Sequence, residues 1–161
     1  IWMLEHVPNA EPVLREALRV LRPGGAVSCT EVDNATFTFD PPVPAIARWF
    51  DRFNRAQQAE GGDPFVGPKL AAAAARAGAS KIVAEPTWMI DSAREPGRRS
   101  TWLDYLEDLL LSGAEAMVRR GEAGAADADD LRSAFRDARQ DPRREFRYGA
   151  VRLTCRRPAA A

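Results

Sequence analysis

The sequence predicts an α/β fold, a small sheet flanked by helices, and three observations point to it. Apolar residues recur at helical spacing over about residues 10–22, 46–60 and 68–76. Strand-like runs rich in Val, Ile, Thr and Cys lie at about residues 26–32, 81–90 and 146–155. Gly and Pro punctuate the boundaries between the two kinds of segment. Alternation of helical and strand periodicity along one chain is the pattern of an α/β sheet.

The chain opens on Ile1-Trp2-Met3-Leu4, an apolar stretch that reads as the end of a strand belonging to something larger. Asn9 is placed to cap a helix whose Leu14, Leu18 and Leu21 share one face, with Glu11 and Arg15 an i,i+4 pair on the other. Pro23 disfavours helical geometry at Arg22, and Gly24-Gly25 supply a tight reversal into the strand. Asp33-Asn34 then reads as a turn, and the Pro-rich segment at 40–44 excludes helix. Ile46, Trp49, Phe50 and Phe53 give a second amphipathic helix, ended at Gly61-Gly62. Pro68 suits the first turn of a third helix and Gly78 its C-terminus. Pro86 marks an edge, a bulge or the end of the strand at 81–90. Residues from about 91 to 142 form a helical insertion of two helices, on Trp102, Leu106, Leu109 and Leu110 and on Leu131, Phe135 and Ala138. A last strand and a frayed Pro-Ala tail follow.

With 161 residues, the chain fits one domain of about 100–200 residues. Its 23 basic and 23 acidic residues cancel, so no net field draws nucleic acid. The arginines at 143, 144, 147, 152, 156 and 157 lack interleaved platform aromatics and read as a solvated face. No apolar run approaches the roughly 18 residues of a membrane span. Cys29 and Cys155 show no metal spacing and read as buried, reduced thiols, which fits a cytoplasmic protein.

Leu4-Glu5-His6-Val7-Pro8-Asn9, Val13-Leu14-Arg15-Glu16 and Arg19-Val20-Leu21-Arg22-Pro23-Gly24-Gly25 together resemble the motifs that follow the glycine loop in class I S-adenosylmethionine-dependent methyltransferases, such as those of ubiquinone and menaquinone biosynthesis. The resemblance is close over residues 4–25 and looser over the rest, where Gly78-Ala79 replaces the family's Gly-Phe. It implies a partial Rossmann-like methyltransferase sheet: the end of the fourth strand at Leu4–His6, the fifth ending at Glu31, then the sixth, and a seventh running antiparallel to its neighbours. The insertion would be a variable substrate cap. No Gly-x-Gly occurs among the 161 residues, so the loop that grips the methyl donor is expected upstream of Ile1, and this chain is expected to bind S-adenosylmethionine weakly.

The resemblance implies methyl transfer to O, N or C of a small-molecule acceptor, with Met3, Leu4 and Glu5 on the donor side. His6, the only histidine, falls where the strand end faces the acceptor. An imidazole ordinarily changes charge near neutral pH, which suits a general base, although it would equally serve to orient the turn. Glu31, Asp33, Asn34 and Trp102 are candidates for holding the acceptor, Asp33-Asn34 being equally ordinary turn chemistry. Of the aromatic residues Trp49, Phe50, Phe53, Trp88, Trp102 and Tyr105, most are expected in the core. Metal dependence is not expected, because Trp2 stands where metal-assisted relatives carry a further acid. A nicotinamide dehydrogenase leaves the Leu-Glu-His and Arg-Pro-Gly-Gly pairing unexplained. The alternative is a non-catalytic module, a degenerate methyltransferase half whose strand edge beside residues 1–4 pairs with a partner, a homodimer among the options.

Overall fold

The computed structural model describes residues 2–159. It is a mixed α/β fold with helices flanking a three-stranded sheet. The strands are β1 (Ala26–Asp40), β2 (Ser80–Asp91) and β3 (Glu145–Arg156). β3 lies between the other two and runs antiparallel to both, the orientation expected of the last strand. The chain divides into two compact units. The first comprises residues 1–36, 60–89 and 149–161, and the second residues 37–59 and 90–148.

In the first unit, α1 (Ala10–Val20) starts where Asn9 accepts the Glu11 amide at 2.9 Å. The helix buries Leu14 and Leu18, and they join a core with Leu70, Ala73 and Ala74 of α3 (Leu70–Arg76) and Val151, Leu153 and Cys155 of β3. Glu11 ties the outer faces of the two helices, pairing with Arg15 and, at 2.9 Å, with Arg76. Gly24, at φ +77°, makes the reversal the sequence predicts. The reversal docks on β3: Gly24 donates to Arg157 O at 3.1 Å and Arg157 donates to Gly25 O at 2.8 Å. Arg157 then caps the end of α1, donating to the carbonyls of Arg19 and Leu21. Arg156 donates to Gly24 O, so two arginines of the expected solvated face serve as carbonyl caps.

The second unit holds α2 (Pro44–Ala59), α4 (Arg99–Leu111), α5 (Ala114–Arg119) and α6 (Ala125–Gln140). Phe37, Phe39, Phe50, Phe135, Phe146 and Tyr148 form its aromatic core, Phe39 stacking on Phe146 at 5.2 Å between centroids. Trp49 is buried and donates its indole N–H to Leu110 O at 2.8 Å, as a core tryptophan must. Asp127 accepts the Gly124 amide at 2.7 Å at the start of α6 and pairs with Arg52. At its other end, the Arg99 guanidinium donates to the carbonyls of Ala138, Asp141 and Arg144, a cation against the negative helix end.

Three expectations are corrected. Leu4–His6 is a single 3-10 turn rather than the end of a strand, because a side chain from β1 satisfies its first amides; Ile1 lies outside the described residues, as do Ala160 and Ala161 of the tail. β1 does not end at Glu31 or turn at Asp33-Asn34. It continues to Asp40, since Phe37 and Phe39 carry the strand on into the second unit's aromatic core. The insertion contains three helices, α5 being a short one around buried Met117.

Gly67 lies where a 3-10 turn (Gly67–Lys69) presses on β1: a Cβ there would stand 2.7 Å from Val32 O and 3.1 Å from Glu31 O. Those are backbone atoms of a paired strand and cannot retreat. Gly67→Ala is therefore expected to lower stability by about 1–3 kcal/mol, measured by chemical denaturation; an unchanged midpoint would show that the strand yields.

Candidate functional site

Glu31 is the residue on which the candidate site hangs. Its position in β1 turns the side chain inward, where it is 1% exposed. One carboxylate oxygen, Oε2, accepts the amide N–H groups of Met3 at 3.1 Å and Leu4 at 3.0 Å. The first amides of a helical turn have no partner within the turn, and a negative charge is favoured at that end. Burial pushes the Glu31 carboxyl up from its ordinary range, and the amides of Met3, Leu4 and Glu5 work against that by favouring the charged form.

The clamp decides what the next residues present. Leu4 is buried and belongs to the core with Leu14 and Leu70. Glu5 is also buried, and its carbonyl accepts the Asp63 amide at 2.7 Å. Met3 is 49% exposed. His6 projects outward with its side chain 66% exposed, its Nε2 3.8 Å from Glu5 Oε1. An imidazole beside a carboxylate can take up a proton and have the resulting charge balanced. Of the three residues assigned to the methyl donor, Met3 alone offers its side chain to solvent, too little surface to cradle a nucleoside. Residues 3–5 therefore do not fit the donor by themselves.

Asp33 and Asn34 extend along β1 beyond Glu31. Asn34 is buried, and its amide donates to Pro64 O at 3.1 Å. Asp33 is half-buried and accepts the Ala35 amide at 3.3 Å. It lines a groove of about 450 Å³ in the first unit, together with Pro68, Ala84, Pro86, Trp88 and Val151 among others. Met3, Leu4, Glu5, His6, Glu31, Asp33 and Asn34 thus all lie in the first unit. Trp102 lies in the second, on α4, where the Arg98 guanidinium covers its ring at 4.3 Å and Tyr105 meets it edge-on at 6.0 Å.

Sequence reasoning missed one device. Thr36 Oγ1 donates to Asp33 O and accepts the Gly149 amide, both at 2.7 Å, which latches β1 to β3 at the floor of the groove. A Cβ on Gly149 would stand 2.7 Å from that oxygen. The signal was present: a glycine inside a strand marks a close approach. Cys29 and Cys155 are free thiols. Burial first, then the charge of Glu31, pushes Cys29 up to about 11.

Among the described residues no group of three or more His, Cys, Asp or Glu is arranged to hold a metal ion, and no helix is long and apolar enough to cross a membrane. A scan against protein-family models finds no match, and a search of curated proteins finds none.

Two outcomes test this geometry. Glu31→Ala leaves the Met3 and Leu4 amides without their acceptor and is expected to cost about 1–3 kcal/mol in denaturant melts. Glu31→Gln keeps an acceptor oxygen and removes the buried charge. Because the folded carboxyl titrates above its ordinary range, wild-type stability relative to Gln is greatest at acid pH and falls as pH rises through the raised value; a pH-independent difference would contradict it. For the thiols, native Cys29 is expected to react with iodoacetamide about a hundredfold more slowly than an ordinary cysteine, read by mass spectrometry, and to react freely once unfolded.

Proposed function

We propose that the chain forms the acceptor side of an S-adenosylmethionine-dependent methyltransferase acting on a small molecule. The observation that carries this reading is the Leu4–His6 turn. Buried Glu31 fixes it to β1, and the fixing leaves His6 at the surface with the Glu5 carboxylate 3.8 Å from its Nε2. The same residues carry the sequence resemblance. The fold offers further support: α1, the Gly24-Gly25 reversal and a strand follow in the order the resemblance implies, although Leu4–His6 is a turn where it implies a strand end, and the last strand is antiparallel to its neighbours. The finer assignment, a partial Rossmann-like sheet with a cap over residues 91–142, belongs to this proposal.

The donor supplies an electrophilic sulfonium methyl. The work of this chain is on the other partner: His6 takes the proton that a hydroxyl or enol acceptor must lose, and Glu5 balances the imidazolium. The clamp on Met3 and Leu4 fixes the backbone turn that carries His6, and positioning of a reacting group accounts for much of the rate in bimolecular transfer.

The test is transfer of tritium from labelled methyl donor to a panel of small acceptors by the protein expressed from its complete reading frame. His6→Ala is expected to reduce kcat about 10²–10⁴-fold while leaving the affinity for S-adenosylhomocysteine unchanged. A protein that neither transfers tritium nor binds S-adenosylhomocysteine would overturn the proposal. Residues 1–161 alone are expected to show no micromolar binding of the donor by calorimetry.

A further inference from the structure

The first unit contains a groove whose chemistry is more specific than its size. Its volume, about 450 Å³, lies within the range usual for small-molecule sites. Its floor is the Gly149-Ala150-Val151 segment of β3, and its walls come from Pro68 and Ala71 on one side and Ala84, Pro86 and Trp88 of β2 on the other. Most of this surface is apolar. Asp33 is the one ionisable residue in the lining.

The floor is built rather than incidental. Thr36 spends its hydroxyl on Asp33 O and the Gly149 amide, so β1 and β3 are latched directly beneath the groove. The Asp33 carboxylate is left with capacity: it accepts one amide, Ala35 N–H at 3.3 Å, where an ionised carboxylate has about four acceptor positions. No cation of the described residues pairs with it. Trp88 stands in the same lining and is 46% exposed.

We propose that this groove binds a small organic ammonium with an apolar or aromatic body. A carboxylate set among apolar walls favours a cation that brings its own hydrophobic surface, because such a ligand neutralises the charge and buries the walls together. The indole of Trp88 adds attraction for the same charge through its ring face. A hydrated metal ion would gain nothing from the alanine, proline and valine surfaces, and an anion would meet Asp33. The proposal stands on the groove alone and does not require methyl transfer.

The test is an NMR titration of the protein with 2-phenylethylammonium, against neutral 2-phenylethanol of nearly the same shape. The ammonium is expected to shift the amides of Thr87, Trp88, Gly149 and Ala150 in a saturable way and to bind more tightly than the alcohol. Asp33→Asn is expected to weaken the ammonium about ten- to a hundredfold and to leave the alcohol unchanged. Trp88→Ala is expected to weaken it about three- to thirtyfold. Thermal melts of both variants establish that they fold. Equal affinity for the two probes, or saturable shifts elsewhere with none in the groove, would overturn the assignment. Loss of methyl transfer with ammonium binding intact would count against the catalytic reading only.

Discussion

A single buried carboxylate organises the start of this protein. Glu31 leaves β1 on its inward side, and its oxygens meet the amides of Met3 and Leu4. Burying a charge is costly unless it is hydrogen-bonded, and two unpaired amides at a turn are costly unless accepted; each offsets part of the other's penalty, burial still holding the Glu31 carboxyl above its ordinary range. Everything nearby follows from that exchange. Leu4 is drawn into the core against α1 and α3, Glu5 is buried behind it, and His6 is left outside.

The same economy of matching ends to charges recurs elsewhere. Arg157 closes the carbonyl end of α1 and Arg99 that of α6, while Asp127 holds the first amide at the start of α6. The backbone hydrogen bond from Gly124, then Arg52, holds the Asp127 carboxyl below its usual range. Helix ends in this chain are closed by residues far away in sequence as often as by neighbours. This explains why an arginine-rich tail that looked like a solvated face is partly structural.

Local chemistry was legible in the sequence and distant chemistry was not. The Asn9 cap, the Glu11–Arg15 pair, the Gly24 reversal and the Gly78 helix end, at φ +87°, all involve residues within a few positions of one another, so their side chains announce them. The apolar periodicity of α1, α2 and α3 was similarly plain. Residues 1–4 read as a strand end from their apolar character, and the resemblance carries that strand end to His6; the carboxylate that turns the chain there, 27 residues along from Leu4, gives no local sign. Asp33-Asn34 read as a turn because Asp and Asn favour turns locally, whereas Phe37 and Phe39 hold the strand straight through packing in the second unit. Of the candidate site residues, Glu31 clamps the turn, Asp33 lines the groove and the Asn34 amide meets Pro64 O, three placements that adjacency in sequence does not distinguish.

The sheet also has two unlike margins. β2 lies at one side, and there Pro86 lacks an N–H and Lys81 adopts φ 51°, so that margin offers a broken row of donors to any incoming strand. β1 lies at the other, and among the described residues its outer row is already met: Trp2 donates to Thr30 O and the Asn34 amide donates to Pro64 O, both at 3.1 Å, and Gly67 packs against Val32 O between them. Neither margin therefore offers an incoming strand an unbroken row of donors and acceptors. A neighbouring strand finds an interrupted row beside β2 and, along residues 30–34 of β1, backbone groups already met by the turn and loop packed against them.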